Sequence, residues 1–210
     1  MIIKLDNFAA IGVGAVVSAR CPRCRQMGTL ESLPNVHDVQ AHPYMLGQRR
    51  CPNPVCHTHL FFVWSPPQNR LLASYPAERI DFDTTNVPEQ VKQALEEAII
   101  CHAAGCHRAA AIMVRRTLED LCRDRGANGN NLKDRIKALQ TRVVLPQELL
   151  DAMDDLRLLG NDAAHIESQE YNAVGQAEVE VAIAVSKEIL KAVYQYSALV
   201  TQLRALKKSP

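Results

Sequence analysis

The sequence predicts a mainly α-helical protein with a small β-rich segment at its start. Two observations carry this prediction: four cysteines fall into two close pairs before residue 57, and apolar residues recur at helical spacing from Pro88 onward. Paired cysteines at this spacing are typical of a zinc ribbon. We therefore expect a zinc ribbon with short strands and a linker in residues 1–84, and a bundle of about five helices in residues 85–210.

Composition limits the class of protein before any motif is considered. The 210 residues are 47% hydrophobic and carry a net charge of +1, which fits a packed globular chain. We expect no membrane span and no signal peptide, and the odd count of seven cysteines favours reduced thiols in a cytoplasmic protein. Acidic and basic segments alternate along the chain, which argues against a long basic groove for duplex DNA.

The cysteine pairs predict a metal site. Cys21 and Cys24 enclose a Pro-Arg dipeptide, whereas Cys51 and Cys56 enclose the longer Pro-Asn-Pro-Val segment. Zn²⁺ prefers four tetrahedral ligands, and four thiolates leave no open position, so we expect the zinc to be structural. The longer second pair keeps an alternative open, in which a nearby histidine replaces Cys56 as ligand. The candidates for that role are His57 and His59.

Strands are expected near 28–33, 44–50 and 60–64, with another at 70–75, because these stretches are rich in β-forming residues and lie between turns.

The ribbon permits two interpretations. The ribbon is either a stabilising clip or a recognition module that meets phosphate or an acidic protein surface. The arginines available for recognition are Arg20, Arg23, Arg25, Arg49 and Arg50.

Helical patterns begin at Asn86-Val87-Pro88-Glu89, where we expect Asn86 to cap the first helix. Glycines mark the ends of the first two helices, and Leu145-Pro146 marks the start of the fourth. The predicted helices span 88–104, 107–125, 132–139, 146–164 and 176–206. The second and last are apolar around most of their circumference, so we expect burial on two sides, either inside the bundle or with one face on another subunit. On this basis we expect a homodimer.

One polar stripe stands out in the fourth helix. Arg157, Asn161 and His165 are spaced four residues apart, which would align them on one helical face. A cation, an amide and an imidazole together can hold phosphate or orient a proton transfer. They can equally tie helices together, with the histidine binding the free carbonyls at the end of its helix.

The helical half resembles domain-of-unknown-function family 4145, a bacterial group placed with the HEPN-like helical domains. The matching features, within residues 88–200, are Arg115-Arg116-Thr117-Leu118-Glu119, the loop from Gly126 to Leu132, Leu145-Pro146 and the segment 156–165. An N-terminal zinc ribbon is also usual in that family. The resemblance implies a HEPN-like bundle that dimerises.

The resemblance also implies an activity. Many HEPN domains are metal-independent ribonucleases or toxin-like effectors of bacterial defence, restriction or anti-phage systems, and use an arginine, a polar residue and a histidine. Asn161 and His165 match the last two, whereas Gly160 stands where the arginine is expected. His165 would then transfer the proton, and Arg157, with Arg116 as a possible helper, would stabilise the phosphorane.

Two classes of function remain open at this stage. One is a ribonuclease or toxin-like effector that acts on RNA. The other is a non-catalytic module that dimerises and binds a protein or nucleic acid.

Overall fold

The computed structural model describes residues 9–167, 170–171 and 173–207. The chain divides into two compact units, residues 1–81 and residues 82–210. The first contains only strands and turns among its described residues, and the second contains the helices. No helix among the described residues is long and apolar enough to cross a membrane.

The first unit is built on an antiparallel sheet. Its described strands are β1 (Ala9–Ile11), β2 (Ser18–Arg20), β3 (Met27–Thr29), β4 (Glu31–Ser32), β5 (Asp38–Ala41), β6 (Tyr44–Arg50), β7 (His59–Ser65) and β8 (Arg70–Tyr75). The order of strands in the sheet is β1-β5-β6-β7-β8, and β4 pairs with β6 beside β5. A separate hairpin is formed by β2 and β3.

The core of this unit follows the period-two alternation of its strands. Leu60 and Phe62 of β7 point inward and pack with Met45, Val17 and Leu30. The residues between them point outward, so Phe61 remains exposed. The strands predicted at 44–50 and 70–75 are confirmed. The strand predicted at 28–33 is instead divided between β3 and β4, because Leu30 turns inward to the core.

The second unit is a helical bundle. Its described elements are α1 (Glu89–Ala103), α2 (His107–Asp124), α3 (Leu132–Leu139), α4 (Gln147–Ala164), α5 (Gln176–Leu190), a π-helical segment (Lys191–Gln195) and α6 (Tyr196–Ala205). Helix α2 lies at the centre and packs against α1, α3, α4 and α5, so both of its apolar sides are covered within the chain.

The expected helix ends are largely confirmed, with one exception. Gly105 and Gly126 adopt positive φ directly after α1 and α2, as their predicted role as helix stops requires. Asn86, however, does not cap α1. It lies in the left-handed region at φ 61°, and Pro88 occupies the N-cap position. The expected cap was wrong because asparagine favours the left-handed turn conformation as well as N-cap positions, and Asn86 adopts the turn conformation.

The last helix is continuous but not uniform. Its α-helical hydrogen bonding changes to π-helical over residues Lys191–Gln195, and two side chains of this segment form hydrogen bonds to other parts of the helical unit. The Tyr194 hydroxyl donates to Asp124 at 2.9 Å, and the Gln195 amide donates to the carbonyls of Asp83 and Thr85 at 3.0 and 3.1 Å. These bonds fix the direction in which α6 leaves the bundle.

Candidate metal centre and helical polar cluster

Two turns of the same kind carry the four N-terminal cysteines. In each turn, the residue after the second cysteine has positive φ: Arg25 at 64° and His57 at 47°. The amide of that residue donates to the carbonyl four positions earlier, which is Cys21 in the first turn and Asn53 in the second. The two turns are therefore equivalent in backbone, with Asn53 standing where the first turn has Cys21.

This equivalence explains the longer second pair. In the second turn the first cysteine, Cys51, lies two residues before the turn begins and directly follows β6. Asn53 occupies the backbone position that Cys21 has in the first turn. Its side-chain oxygen accepts from the Val55 amide at 2.9 Å, and its amide donates to Gln26 of the first turn at 2.9 Å. Asn53 thus stabilises one turn and joins it to the other, a role that the sequence analysis missed.

The four sulfurs are close together. All lie within 4.8 Å of one another, with 3.7 Å between Cys21 and Cys56 and 3.6 Å between Cys24 and Cys51. Four sulfurs on a tetrahedral zinc with bonds of about 2.3 Å would be about 3.8 Å apart. The spacing therefore fits a metal ion of that size. Among the described residues, this is the one group of three or more potential ligands that meet in this way.

The thiols of the second pair differ in their surroundings. The Thr58 hydroxyl lies 3.1 Å from the Cys56 sulfur, and this hydrogen bond lowers the pKa of Cys56 to about 6. Burial raises the pKa of Cys51 to about 12. His59, the alternative ligand, bonds instead to Gln48 at 2.7 Å, and neither it nor His57 belongs to the sulfur cluster.

Most of the arginines expected to serve recognition have acidic partners within the first unit. Arg25 pairs with Asp81 at 2.8 Å, Arg50 with Glu31 at 2.7 Å, and Arg20 lies 3.9 Å from Glu78. Arg23 is exposed. A phosphate would have to compete with these carboxylates, so the arginines do not form an open basic patch.

Arg49 is fully internal. Its side chain is 1% exposed and pairs with Asp38, which is 0% exposed, through two bonds of 2.6–2.7 Å. The same guanidinium donates to the Ala15 carbonyl and lies 4.6 Å from the centre of the Phe62 ring. Burial alone would raise the pKa of Asp38, but the bonds from Arg49 and from two backbone amides lower it. Arg49 is a structural residue.

In the helical unit, Arg157 is held by its own helix. Its Nε and a terminal nitrogen donate to the two carboxylate oxygens of Asp154, at 2.6 and 3.1 Å. This bidentate pair lowers the pKa of Asp154 and raises that of Arg157. The Arg157 side chain is mostly buried, at 14% exposure. Two of the nitrogens that could grip a phosphate are thereby engaged by a carboxylate of the same helix.

Asn161 meets a different arginine. Arg115 of α2 donates to the Asn161 side-chain oxygen at 2.7 Å and also lies 3.4 Å from Glu119. Its stem lies over Gly160, where a Cβ atom would be only 2.6 Å from the Arg115 Cβ. Gly160 therefore allows α2 and α4 to approach closely. A signal for Arg115 was present in the sequence, because it shares a helical face with the buried Ala111 and Leu118.

The remaining predicted site residues lie apart from this contact. His165 is the C-cap of α4, in an extended conformation, and its side chain is exposed. The stripe expected from Arg157 to His165 therefore ends with Asn161. Arg116 points away from Asn161 and donates to the Asp120 carboxylate at 2.9 Å. Arg123 lies 3.2 Å from the same carboxylate. The structure brings Asn161 together with Arg115, and not with Arg116.

The molecule thus combines a β-sheet unit, whose four clustered cysteines lie close enough to hold a metal ion, with a helical bundle. A family model described as Domain of unknown function (DUF4145) matches residues 96–209, more than half of the chain. The chain belongs to this family. No curated protein and no solved structure gives a match.

Proposed function

We propose that this protein is a non-catalytic interaction module, in which a zinc ribbon is joined to a HEPN-like helical domain. The observation that carries the proposal is that two candidate catalytic side chains of α4 already have partners. Arg157 is engaged by Asp154 of its own helix, and Asn161 by Arg115 of α2. His165 lies beyond the end of the helix, in the exposed C-cap position.

Chemistry supports the same interpretation. Cleavage of RNA needs a group that moves a proton and a cation that reaches the developing charge on phosphate. Arg157 donates two hydrogen bonds to a carboxylate that is already ionised at neutral pH, since its pKa is lowered. That pairing offsets the charge of the cation and occupies one of the paired N–H edges through which it could bind phosphate.

Zinc is the proposed metal of the cysteine cluster, and its role is structural. Four thiolates fill a tetrahedral coordination sphere, and the sulfur spacings of 3.6 and 3.7 Å fit Zn–S bonds. The first unit gains a staple between its two cysteine turns, which its small core needs. Because four of the five neighbouring arginines are paired with carboxylates, the partner of this unit is expected to be a protein and not a polyanion.

Two measurements test this function. Elemental analysis of the protein purified under reducing conditions should give one zinc per chain, and Cys51→Ser should lose it. Labelled RNA incubated with metal-replete wild type should remain intact to the same extent as with His165→Ala. Cleavage by the wild type that His165→Ala abolishes would overturn the non-catalytic function.

The alternative is a metal-independent ribonuclease or toxin-like effector of a bacterial defence system, as the HEPN-like resemblance implies. One observation favours it: Arg115 supplies a cation 2.7 Å from Asn161, although Gly160 cannot. In that case Arg115→Met should lose cleavage, whereas Arg116→Met, which alters the adjacent arginine on another face, should retain it. Equal cleavage by both variants would reject this active site.

A further inference from the structure

The turn between α1 and α2 carries two cysteines that lie outside the four-cysteine cluster. Cys101 is in the last turn of α1 and is half-buried, whereas Cys106 directly precedes α2 and is exposed. The third cysteine of the helical unit, Cys122, is fully buried in α2. A reagent in solution therefore meets Cys106 first, and the thiol next to it in the fold is Cys101.

Two main-chain hydrogen bonds close this turn. The Cys106 amide donates to the Cys101 carbonyl at 2.8 Å, and the Gly105 amide donates to the His102 carbonyl at 2.9 Å. Gly105 has a φ of 76°, the left-handed conformation that this pair of bonds requires. Together the bonds form a Schellman motif, in which the side chains at the two ends of the longer bond commonly pack together. In this chain both of those side chains are cysteines.

The hydrogen bond between the two cysteines also limits their separation. Residues paired by main-chain hydrogen bonds in antiparallel strands have Cα atoms about 5.5 Å apart, and we expect a similar separation across this turn. A disulfide needs Cα atoms about 4.4–6.8 Å apart. The turn therefore holds Cys101 and Cys106 at a separation that a disulfide can bridge.

The surroundings of the two sulfurs agree with this placement. The Cys106 sulfur lies 4.0 Å from the Ala104 carbonyl oxygen, a long contact that offers little resistance to rotation of the side chain. Burial raises the pKa of Cys101, and the charges of Glu97 and Cys106 raise it further. An influence of Cys106 on Cys101 requires the two thiols to be neighbours in space. The main-chain bond and this electrostatic effect thus indicate the same pair.

We propose that Cys101 and Cys106 form a reversible disulfide across the turn between α1 and α2, with a low-molecular-weight disulfide as the oxidant. The exposed Cys106 thiolate attacks the reagent and displaces one of its two sulfurs as a thiol, which leaves a mixed disulfide. The Cys101 thiolate then attacks the Cys106 sulfur and releases the second reagent thiol. Two protein thiols are oxidised to one disulfide, the reagent is reduced to two thiols, and those thiols take up the two protons. The site is independent of the interaction function proposed above.

Mass spectrometry of the full, zinc-loaded chain tests this site. After exposure to oxidised glutathione and alkylation of the remaining thiols, trypsin releases residues 93–108, a peptide that contains both cysteines. The wild type should give this peptide without alkyl groups or glutathione and lighter by two hydrogens, and dithiothreitol should restore both thiols. Cys101→Ser should give a glutathione adduct on Cys106 instead. Cys122→Ala, which removes the buried thiol of α2, should leave the disulfide unchanged.

A synthetic peptide of residues 93–108 measures what the fold contributes. It has the same two thiols at the same spacing in sequence, so a difference from the protein comes from the folded turn. At a fixed ratio of oxidised to reduced glutathione, the equilibrium constant for the disulfide should be about tenfold or more higher in the folded chain, because the turn already holds the two residues together. Equal constants would overturn the proposal, and so would separate glutathione adducts on Cys101 and Cys106. Circular dichroism checks that each substituted chain remains folded.

Discussion

At the residue scale, one arginine on α2 and one glycine on α4 determine how closely these two helices pack. The absence of a Cβ at Gly160 lets the stem of Arg115 lie on α4, and the guanidinium then reaches Asn161 at 2.7 Å. Gly160 therefore serves the close packing of α2 against α4. The cation beside Asn161 comes from another helix.

Gly160→Ala should destabilise the helical unit. The new Cβ would lie 2.6 Å from the Arg115 Cβ and 3.1 Å from its Cδ, and the former is not the flexible end of a side chain. Alanine would favour the helix by about 1 kcal/mol, but overpacking costs about 1–3 kcal/mol, so we expect a net loss. Chemical denaturation followed by circular dichroism measures it.

Gly12→Ala is the matched control, because a Cβ at Gly12 meets nothing within 4 Å. It should change the free energy of unfolding by less than about 0.5 kcal/mol. A neutral or stabilising effect of Gly160→Ala would show that Arg115 of α2 does not lie in close contact with Gly160 of α4.

Arg49→Met should destabilise the sheet unit strongly. It leaves the fully buried Asp38 carboxylate without its cation, and breaking a buried pair in this way costs about 3–5 kcal/mol. Thermal unfolding of the zinc-loaded protein should show the loss in the sheet transition. Arg50→Met removes a pair whose side chains are 37% and 44% exposed, so its effect should stay within about 1 kcal/mol. Equal effects would contradict the structural role of Arg49.

At the scale of elements, caps and anchors determine where helices begin and which way they run. Asn131 caps α3, since its side-chain oxygen accepts from the Asp134 amide at 3.0 Å. Tyr194 and Gln195 anchor the π-helical segment, and the α6 helix that follows leaves its large apolar side chains exposed.

Asn131→Ala should destabilise the helical unit by about 1 kcal/mol, because the first turn of α3 loses the acceptor for one of its free amides. Equilibrium denaturation gives the value. Asn130→Ala, one residue earlier in the exposed loop, is the control and should have little effect. A larger loss for Asn130→Ala would show that the cap has been assigned to the wrong residue.

At the scale of the whole molecule, the two units obtain their stability differently. The helical unit has a continuous apolar core around α2, whereas the sheet unit relies on a smaller core, the buried Arg49–Asp38 pair and the four-cysteine cluster. Metal binding in such a unit is coupled to folding, because the ligands come together only in the folded state.

Removing the zinc proposed for the cysteine cluster should therefore unfold one unit only. With a zinc chelator and a reductant present, hydrogen exchange should accelerate in β6 and β7 while α2 and α4 keep their protection. Cys51→Ser should reproduce this pattern, and Cys106→Ser, an exposed cysteine outside the cluster, should not. Simultaneous loss of protection in both units, or in neither, would contradict independent stabilisation by the metal.

The sequence by itself determined the features that depend on local spacing. The two cysteine pairs predicted the cluster, and the glycine stops with the apolar periodicity predicted five helical segments close to their observed bounds. Such features are predictable because turns and helices follow from neighbouring residues.

Only the tertiary structure decided which polar groups meet. Arg157 was expected beside Asn161, but a bidentate carboxylate three residues away holds it, and Arg115 from another helix takes its place. The equivalence of Asn53 and Cys21 and the burial of Arg49 likewise depend on contacts between distant segments. A side chain with several possible partners pairs with whichever the packed fold brings within hydrogen-bond distance, and spacing along the chain does not encode that choice.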